Sequence, residues 1–367
     1  MKVYAVFRGF PGLGRVVSGI EVLRILKNNY HFEIRLFTYF NGVSLAEEHG
    51  FAIDELGDVG QSDLTDIGLL PVSSIGSKII KSIIDWNPDM VILDGEPLLC
   101  KALSMVYSKK RIITLINPCD IENPHTPLSN NLFFRDCYLS SGITICHGFI
   151  TPQQQFYYPQ NHLYYANTIL RKSIFTIKED RKFKKDNVKK RLSCILGGGA
   201  KNAPKTMLSS TIEIGKHVIA ASNYLDGFQI DIFTNDKDVS RELTKYVKND
   251  SIVIHNNYCL PTELYRDADF VICRSGRNTI SELLFLGIPA ILISAGLDFR
   301  GKEQSYNIKQ AEKISRGNIT GYDVSMSEQI LACLIEEKTK SRTNSCNFVP
   351  GNDQIMGIIE DFIKTSD

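Results

Sequence analysis

The chain has 367 residues, with 42 Lys plus Arg against 41 Asp plus Glu, a formal net charge of +1 and an apolar fraction of 43%. At roughly 100–200 residues per domain this length predicts two domains, and the composition excludes a disordered, collagen-like or coiled-coil chain. A near-neutral balance makes no general field for a polyanion, so stable nucleic-acid binding is not expected.

No apolar run reaches the roughly 18 residues of a membrane-spanning helix. The short apolar stretch at the N-terminus is broken by Arg8, which argues against a secretion signal. The nine cysteines show no CxxC spacing and sit mostly inside strand-like runs such as SCILGGG and FVICRSG. They read as reduced, buried thiols of a cytoplasmic protein. Seven scattered histidines offer no close ligand pair, so no metal is expected.

In chain order, residues 3–7 form a short apolar run ending in the Gly-rich RGFPGLGR. A helical pattern follows, with Ile20, Leu23, Ile25 and Leu26 broadly on one side. FEIRLFTYF (32–40), MVILDG (90–95), RIITLI (111–116) and ITICHGFI (143–150) read as strands. RLSCILGGG (191–199), FQIDIFTN (228–235), SIVIHN (251–256), DFVICRSG (269–276) and PAILISAG (289–296) repeat the grammar, each leaving room for one helix. Short buried runs alternating with helical stretches predict parallel sheets with crossover helices. The expected fold is α/β, two Rossmann-like domains facing a central cleft. Their expected bounds are residues 1–166 and 167–349, with a C-terminal helix in 350–367. That helix, IMGIIEDFIKT (355–365), is either a terminal core helix or one packing back on the first domain. The charged stretch 178–191 reads as a solvated lead into the second domain.

In open parallel sheets, ligands bind at the carboxyl ends of the strands. The most informative segment lies at such an end: CRSGRNTISELLFLGIPAILISAGLDFRGKEQSYN (273–307). It reads as a strand end, a tight Ser275-Gly276 turn and a helix capped by Asn278 or Thr279. A helix N-terminus aimed at a ligand favours phosphate. Glu282, early in that helix, is suited to accepting two hydrogen bonds from a ribose diol. Gln304 and Asn307 supply polar groups for sugar hydroxyls. GGGAK (197–201) follows the first strand of the second half, where glycines admit a diphosphate close to backbone N–H groups.

This segment resembles the donor-binding region of the MurG-type UDP-N-acetylglucosamine transferases and their GT-B relatives. The likeness rests on Ser275-Gly276, Thr279, Ser281-Glu282, Gly287-Ile288-Pro289 and Gln304-x-x-Asn307. It implies a nucleotide-sugar site, with UDP-sugar as the expected donor. By resemblance, the donor-binding residues are Gly14, Arg171, Gly198, Gly199, Tyr258, Ser275, Gly276, Arg277, Asn278, Thr279, Glu282, Gln304 and Asn307. Glu282 would bind the ribose, Gln304 and Asn307 the sugar, the backbone near Tyr258 the base, and Arg171 the diphosphate. The resemblance also implies a protein at the inner membrane face, in peripheral contact with it. LFF (132–134) and FYYP (156–159) are either such a contact surface or packing.

The family often carries a His after the first Gly-rich loop as general base, whereas this chain has Arg15. An arginine cannot take a proton at neutral pH, so Arg15 is read as binding an anionic acceptor or the diphosphate. Asp94 and Glu96 in LDGEP, Asp120, Glu122 and His125 in INPCDIENPHTP, and His147 are the alternatives for the base, with Glu96 first.

The expected activity is an inverting, metal-independent hexosyl transfer without a cofactor. The acceptor stays open among polysaccharide, lipid-linked, natural-product and modified-nucleobase classes. A nucleotide-sugar hydrolase or epimerase, or a non-catalytic sugar-nucleotide-binding subunit, fits the same scaffold. GFPGLG lacks the full GxGxxG spacing and no Walker A lysine motif is present, which ranks an oxidoreductase low.

Overall fold

The computed structural model describes residues 1–9, 12–57, 59, 75–123, 126–149, 162–182, 189–197, 205–256, 261–294, 299–340 and 347–366. The chain divides into two compact units. The first holds Met1–Leu170 and the C-terminal segment from Pro350, and the second runs from Arg171 to Val349.

The first unit is built on strands β1 (Lys2–Phe7), β2 (Glu33–Phe37), β3 (Met90–Asp94), β4 (Ile112–Ile116), β5 (Ile143–His147) and β6 (His162–Ala166). They form one sheet in the order β2-β1-β3-β4-β5-β6, and every pairing is parallel. β3, β4 and β5 are buried at every position, because helices cover both faces of such a sheet. This is why they read as unbroken apolar runs.

The second unit repeats the plan with β7 (Lys190–Ile195), β8 (Phe228–Thr234), β9 (Ile252–Asn256), β10 (Phe270–Arg274), β11 (Ala290–Ser294) and β12 (Ile319–Asp323). The order is β12-β11-β10-β7-β8-β9, again parallel throughout. Strand order reverses between β1 and β3 in one sheet and between β7 and β10 in the other. At such reversals the chain leaves neighbouring strands in opposite directions, opening a crevice at their carboxyl ends.

Two strands escape the sequence pattern. β6 (HLYYA) and β12 (ITGYD) are both sheet edges. β12 is buried only at Ile319 and Tyr322 instead of running apolar. Of the described cysteines, Cys100, Cys137, Cys146, Cys194 and Cys273 are buried, Cys119 is half-buried and Cys333 is exposed. No helix among the described residues is long and apolar enough to cross a membrane.

The C-terminal helix Asn352–Ser366 contributes Ile355, Met356, Ile359 and Phe362 to the core of the first unit, with Val3, Ala5, Ile20 and Leu23. Its start is stitched to the segment that follows β6. Gly351 N–H donates to the Thr168 carbonyl, Leu170 N–H donates to Asn352 Oδ1 at 2.9 Å, and Asn352 Nδ2 donates to the Leu170 carbonyl at 2.8 Å. A Cβ on residue 351 would stand 1.8 Å from the Asn167 carbonyl oxygen, so only glycine allows this approach.

Candidate functional site

In the second unit, β10 delivers the chain to the helix Arg277–Leu286. The N-cap is Gly276, which has extended backbone and no capping side chain. Asn278 and Thr279 therefore lie within the first turn, which corrects the expectation that one of them caps it. The reason is the tight turn at Ser275-Gly276, which starts the helix two residues early. Ser275 is fully buried, and its hydroxyl has no hydrogen-bond partner among the described residues.

Glu282 is the centre of the arrangement. It is 2% exposed. Its Oε1 accepts from Arg171 Nε at 2.9 Å and faces Arg171 Nη2 at 2.6 Å, and its Oε2 accepts from the Tyr265 hydroxyl at 2.8 Å. Both guanidinium nitrogens meet the one oxygen, a charge-assisted contact that leaves Oε2 to the tyrosine. Burial first, and then the Glu282 charge, push the Tyr265 hydroxyl well above its ordinary value, so it stays a donor at neutral pH. Arg171 sits at the N-cap of the helix Lys172–Arg181.

At the far end of that helix, Arg181 is not solvated, as the charged stretch had suggested. It donates to the carbonyls of Tyr265, Arg266 and Ala268 at 2.6–3.1 Å, fixing the segment that carries Tyr265.

Asn307 is buried and donates to the Ser275 carbonyl at 3.2 Å. It ties the helix Phe299–Ser315 to the turn, while Gln304 is half-buried one turn earlier. Gly198, Gly199 and Tyr258 lie outside the described residues. Tyr265 was missed from the sequence because an aromatic residue ending a short helix looks like core.

The first unit gathers a second polar cluster at the carboxyl ends of β1, β3 and β4. Gly14 opens the helix Gly14–Tyr30, with Arg15 next. Arg15 donates from Nη1 to Asp94 Oδ1 at 2.7 Å, and from Nη2 to both Asp120 oxygens at 2.7 and 2.9 Å. Asp94 is fully buried. Gly95 lets this happen, since a Cβ there would stand 2.4 Å from Arg15 Cδ.

Burial opposes charge on Arg15, but Asp120 and Asp94 outweigh it and raise its pKa well above the ordinary value. Burial alone would raise Asp120. The Arg15 charge and hydrogen bonds, with the Asn117 N–H, instead hold it below the ordinary value.

Glu96 occupies the N-cap of the helix Pro97–Val106 and is 1% exposed. It accepts from the Tyr39 hydroxyl at 2.7 Å and faces Arg8 Nε at 3.6 Å. Burial, then Glu96, raise the Tyr39 hydroxyl well above its ordinary value. Arg15, Asp94 and Glu96 are thus brought together, with Arg15 held by two carboxylates. Arg8 and Tyr39 were missed, because Arg8 reads only as the break in an apolar run and Tyr39 only as part of a strand.

His147, the last residue of β5, is fully buried, and His125 lies outside the described residues. On the helix Leu128–Tyr138, Leu128, Leu132 and Phe133 are exposed, whereas Phe134 packs inward. Residues 156–159 lie outside the described residues.

Residues 194–353 match the glycosyltransferase family 28 C-terminal domain. The chain is 24% identical over 243 residues to the UDP-N-acetylglucosamine–N-acetylmuramyl-(pentapeptide) pyrophosphoryl-undecaprenol N-acetylglucosamine transferase of Caldanaerobacter subterraneus subsp. tengcongensis. That match covers 65% of this chain and 61% of the relative, so the chain spans about three fifths of that relative's length.

Acinetobacter baumannii MurG superposes with a TM-score of 0.59 at 14% identity, covering 98% of this chain and 100% of that one. UDP-GlcNAc 2-epimerase from Neisseria meningitidis superposes with a TM-score of 0.62 at 13% identity, covering 99% and 100%. The chain has the GT-B fold of these structures, resembles the MurG-type transferases in sequence, and matches the glycosyltransferase family 28 C-terminal domain over most of its second unit.

Proposed function

We propose that the protein is an inverting glycosyltransferase that takes a sugar from a UDP-sugar and needs neither metal nor cofactor. The observation that carries this reading is the Arg171–Glu282–Tyr265 constellation, in which Glu282 on the helix after β10 and Tyr265 lie inside the segment matching family 28 and Arg171 reaches Glu282 from outside it. A buried carboxylate held rigid by Tyr265 is suited to a ribose diol. A guanidinium beside it is suited to the diphosphate. The uncapped helix start at Gly276 and the buried Ser275 hydroxyl add donors for phosphate oxygens.

In the transfer, an acceptor oxygen attacks the anomeric carbon and loses its proton. The bond from that carbon to the diphosphate oxygen breaks, and its electron pair leaves with the nucleotide. Arg171 and the helix start stabilise the charge that develops there. Glu96 is assigned as general base in preference to Asp94, because Arg8 Nε stands 3.6 Å from it whereas Arg15 Nη1 stands 2.7 Å from Asp94. Arg15 acts as the strut that holds Asp94 and Asp120.

The acceptor is assigned to the lipid-linked class. The Caldanaerobacter relative is named for such an acceptor, and the exposed Leu128, Leu132 and Phe133 give this chain an apolar surface on the first unit.

A thermal-shift panel of UDP, GDP, dTDP and CDP tests the donor reading, with UDP expected to raise Tm most. No shift with any nucleotide overturns it. Incubation with labelled UDP-sugars and a membrane lipid extract then tests the reaction, and label is expected in the lipid phase. A C2-epimerised UDP-sugar formed without acceptor, or free sugar from hydrolysis, overturns transfer as the activity.

A further inference from the structure

We propose that Arg171 and Glu282 form an exchange lock that sets the specificity of the donor site. The pair opens to a ligand that brings a vicinal diol and a diphosphate in one molecule, and Tyr265 is the positioning residue that holds Glu282 through the exchange. The inference rests on the donor-site reading above.

Glu282 as it stands has no room for a second ligand on Oε1. Arg171 occupies that oxygen with two nitrogens, at 2.9 and 2.6 Å, while Tyr265 holds Oε2 at 2.8 Å. A diol brings two hydroxyl donors, and to engage Glu282 side-on it has to displace one of these partners. Tyr265 is the worse candidate. It is 1% exposed, and its segment is pinned by three carbonyl contacts to Arg181. Arg171 is the better one. Its side chain is 22% exposed, and its backbone precedes a helix instead of lying inside one.

Each half of a nucleotide alone meets a penalty. A nucleoside that takes Glu282 alone breaks the Arg171–Glu282 ion pair. A free diphosphate that takes Arg171 leaves a carboxylate, 2% exposed, without its cation. Stranding a buried charge is strongly unfavourable. A nucleoside diphosphate meets neither penalty, since its diol replaces Arg171 on Glu282 and its diphosphate replaces Glu282 on Arg171. Charge pairing is conserved through the exchange. By linkage the two halves must then help each other, each raising the affinity of the other by the same factor.

Isothermal titration of the whole chain with uridine, pyrophosphate and UDP tests this. In the wild type, saturating pyrophosphate is expected to tighten uridine binding by about tenfold, within the usual range of such couplings. In Arg171→Met, uridine alone is expected to bind more tightly than it does to the wild type. Pyrophosphate no longer changes its affinity there, and UDP binds more weakly. In Tyr265→Phe, uridine and UDP are expected to weaken by the same factor while pyrophosphate binding is unchanged. A purely structural loss would weaken all three.

Uridine binding that ignores pyrophosphate in the wild type overturns the lock, and so does uridine binding unimproved by Arg171→Met. If Arg171→Met does not fold, the wild-type titration decides alone. UDP that fails to bind the wild type at all overturns the donor-site reading, and the lock with it. UDP that binds without coupling between its halves overturns the lock alone.

Discussion

Arg15→Met is expected to lower the unfolding free energy of the first unit by about 3–5 kcal/mol, the usual cost of stranding one member of a buried ion pair. The mechanism is specific. Asp94 is fully buried at the end of β3, and Arg15 Nη1 lies 2.7 Å from its Oδ1. Methionine matches the stem of arginine but brings no donor, so Asp94 must stay charged without that partner or take up a proton. Asp94→Asn on its own leaves Arg15 still paired with Asp120, so it costs less. In the double variant the two costs do not add, and urea unfolding of all four proteins measures the coupling. Additive costs would show that the pair contributes nothing.

The pH dependence follows from Asp120. Its folded pKa is depressed, so its contribution is complete above the unfolded value of about 3.9 and is lost as pH falls through the lower folded value. Without Arg15 the depression disappears and burial pushes Asp120 the other way, so urea unfolding across the acid range is expected to show a smaller acid-dependent loss from this group than in the wild type.

Glu282→Ala is expected to weaken UDP binding by roughly 1–3 kcal/mol, because ribose hydroxyls and two protein donors lose their acceptor together. The Tyr265 hydroxyl is buried and loses its acceptor Oε2, and Arg171 loses the Glu282 carboxylate. Tm without ligand therefore falls as well. Glu282→Gln separates the two effects. The amide oxygen can still accept from Tyr265, so most of the folding stability returns, but Arg171 has lost its counter-charge and UDP binding recovers only in part. Calorimetry with UDP on both variants reads this directly. Unchanged UDP affinity in Glu282→Ala would remove Glu282 from the donor site.

The strands at the centre of each sheet were legible because a strand covered on both faces can carry only apolar side chains. MVILD and RIITLI announce themselves in this way. β6 and β12 were not legible, because polar residues and glycine break up HLYYA and ITGYD, whereas the other two edges, β2 and β9, keep the apolar signal of FEIRLFTYF and SIVIHN. The donor segment was legible because Ser275, Gly276, Glu282, Gln304 and Asn307 lie close together in sequence at fixed spacing.

The partners of those residues were not legible. Arg171 is 111 residues from Glu282, and Arg15 is 79 residues from Asp94. No local pattern records a pairing that only the meeting of distant strand ends creates. The helix start was misplaced for a related reason: Asn278 and Thr279 are good caps by propensity, but the turn geometry at Ser275-Gly276 decides where the first turn begins.

The C-terminal helix has a consequence for how the chain emerges during synthesis. Ile355, Ile359 and Phe362 fill the core that begins with Val3 and Ala5, so the first unit to be translated is the last to acquire all of its core. The intervening unit, residues 171–349, has its whole sheet available earlier and can close while the tail is still inside the ribosome. Nascent chains stalled with residue 350 just outside the exit tunnel should protect the second unit from protease while leaving the first open to cleavage. Equal protection of both would refute this order of assembly.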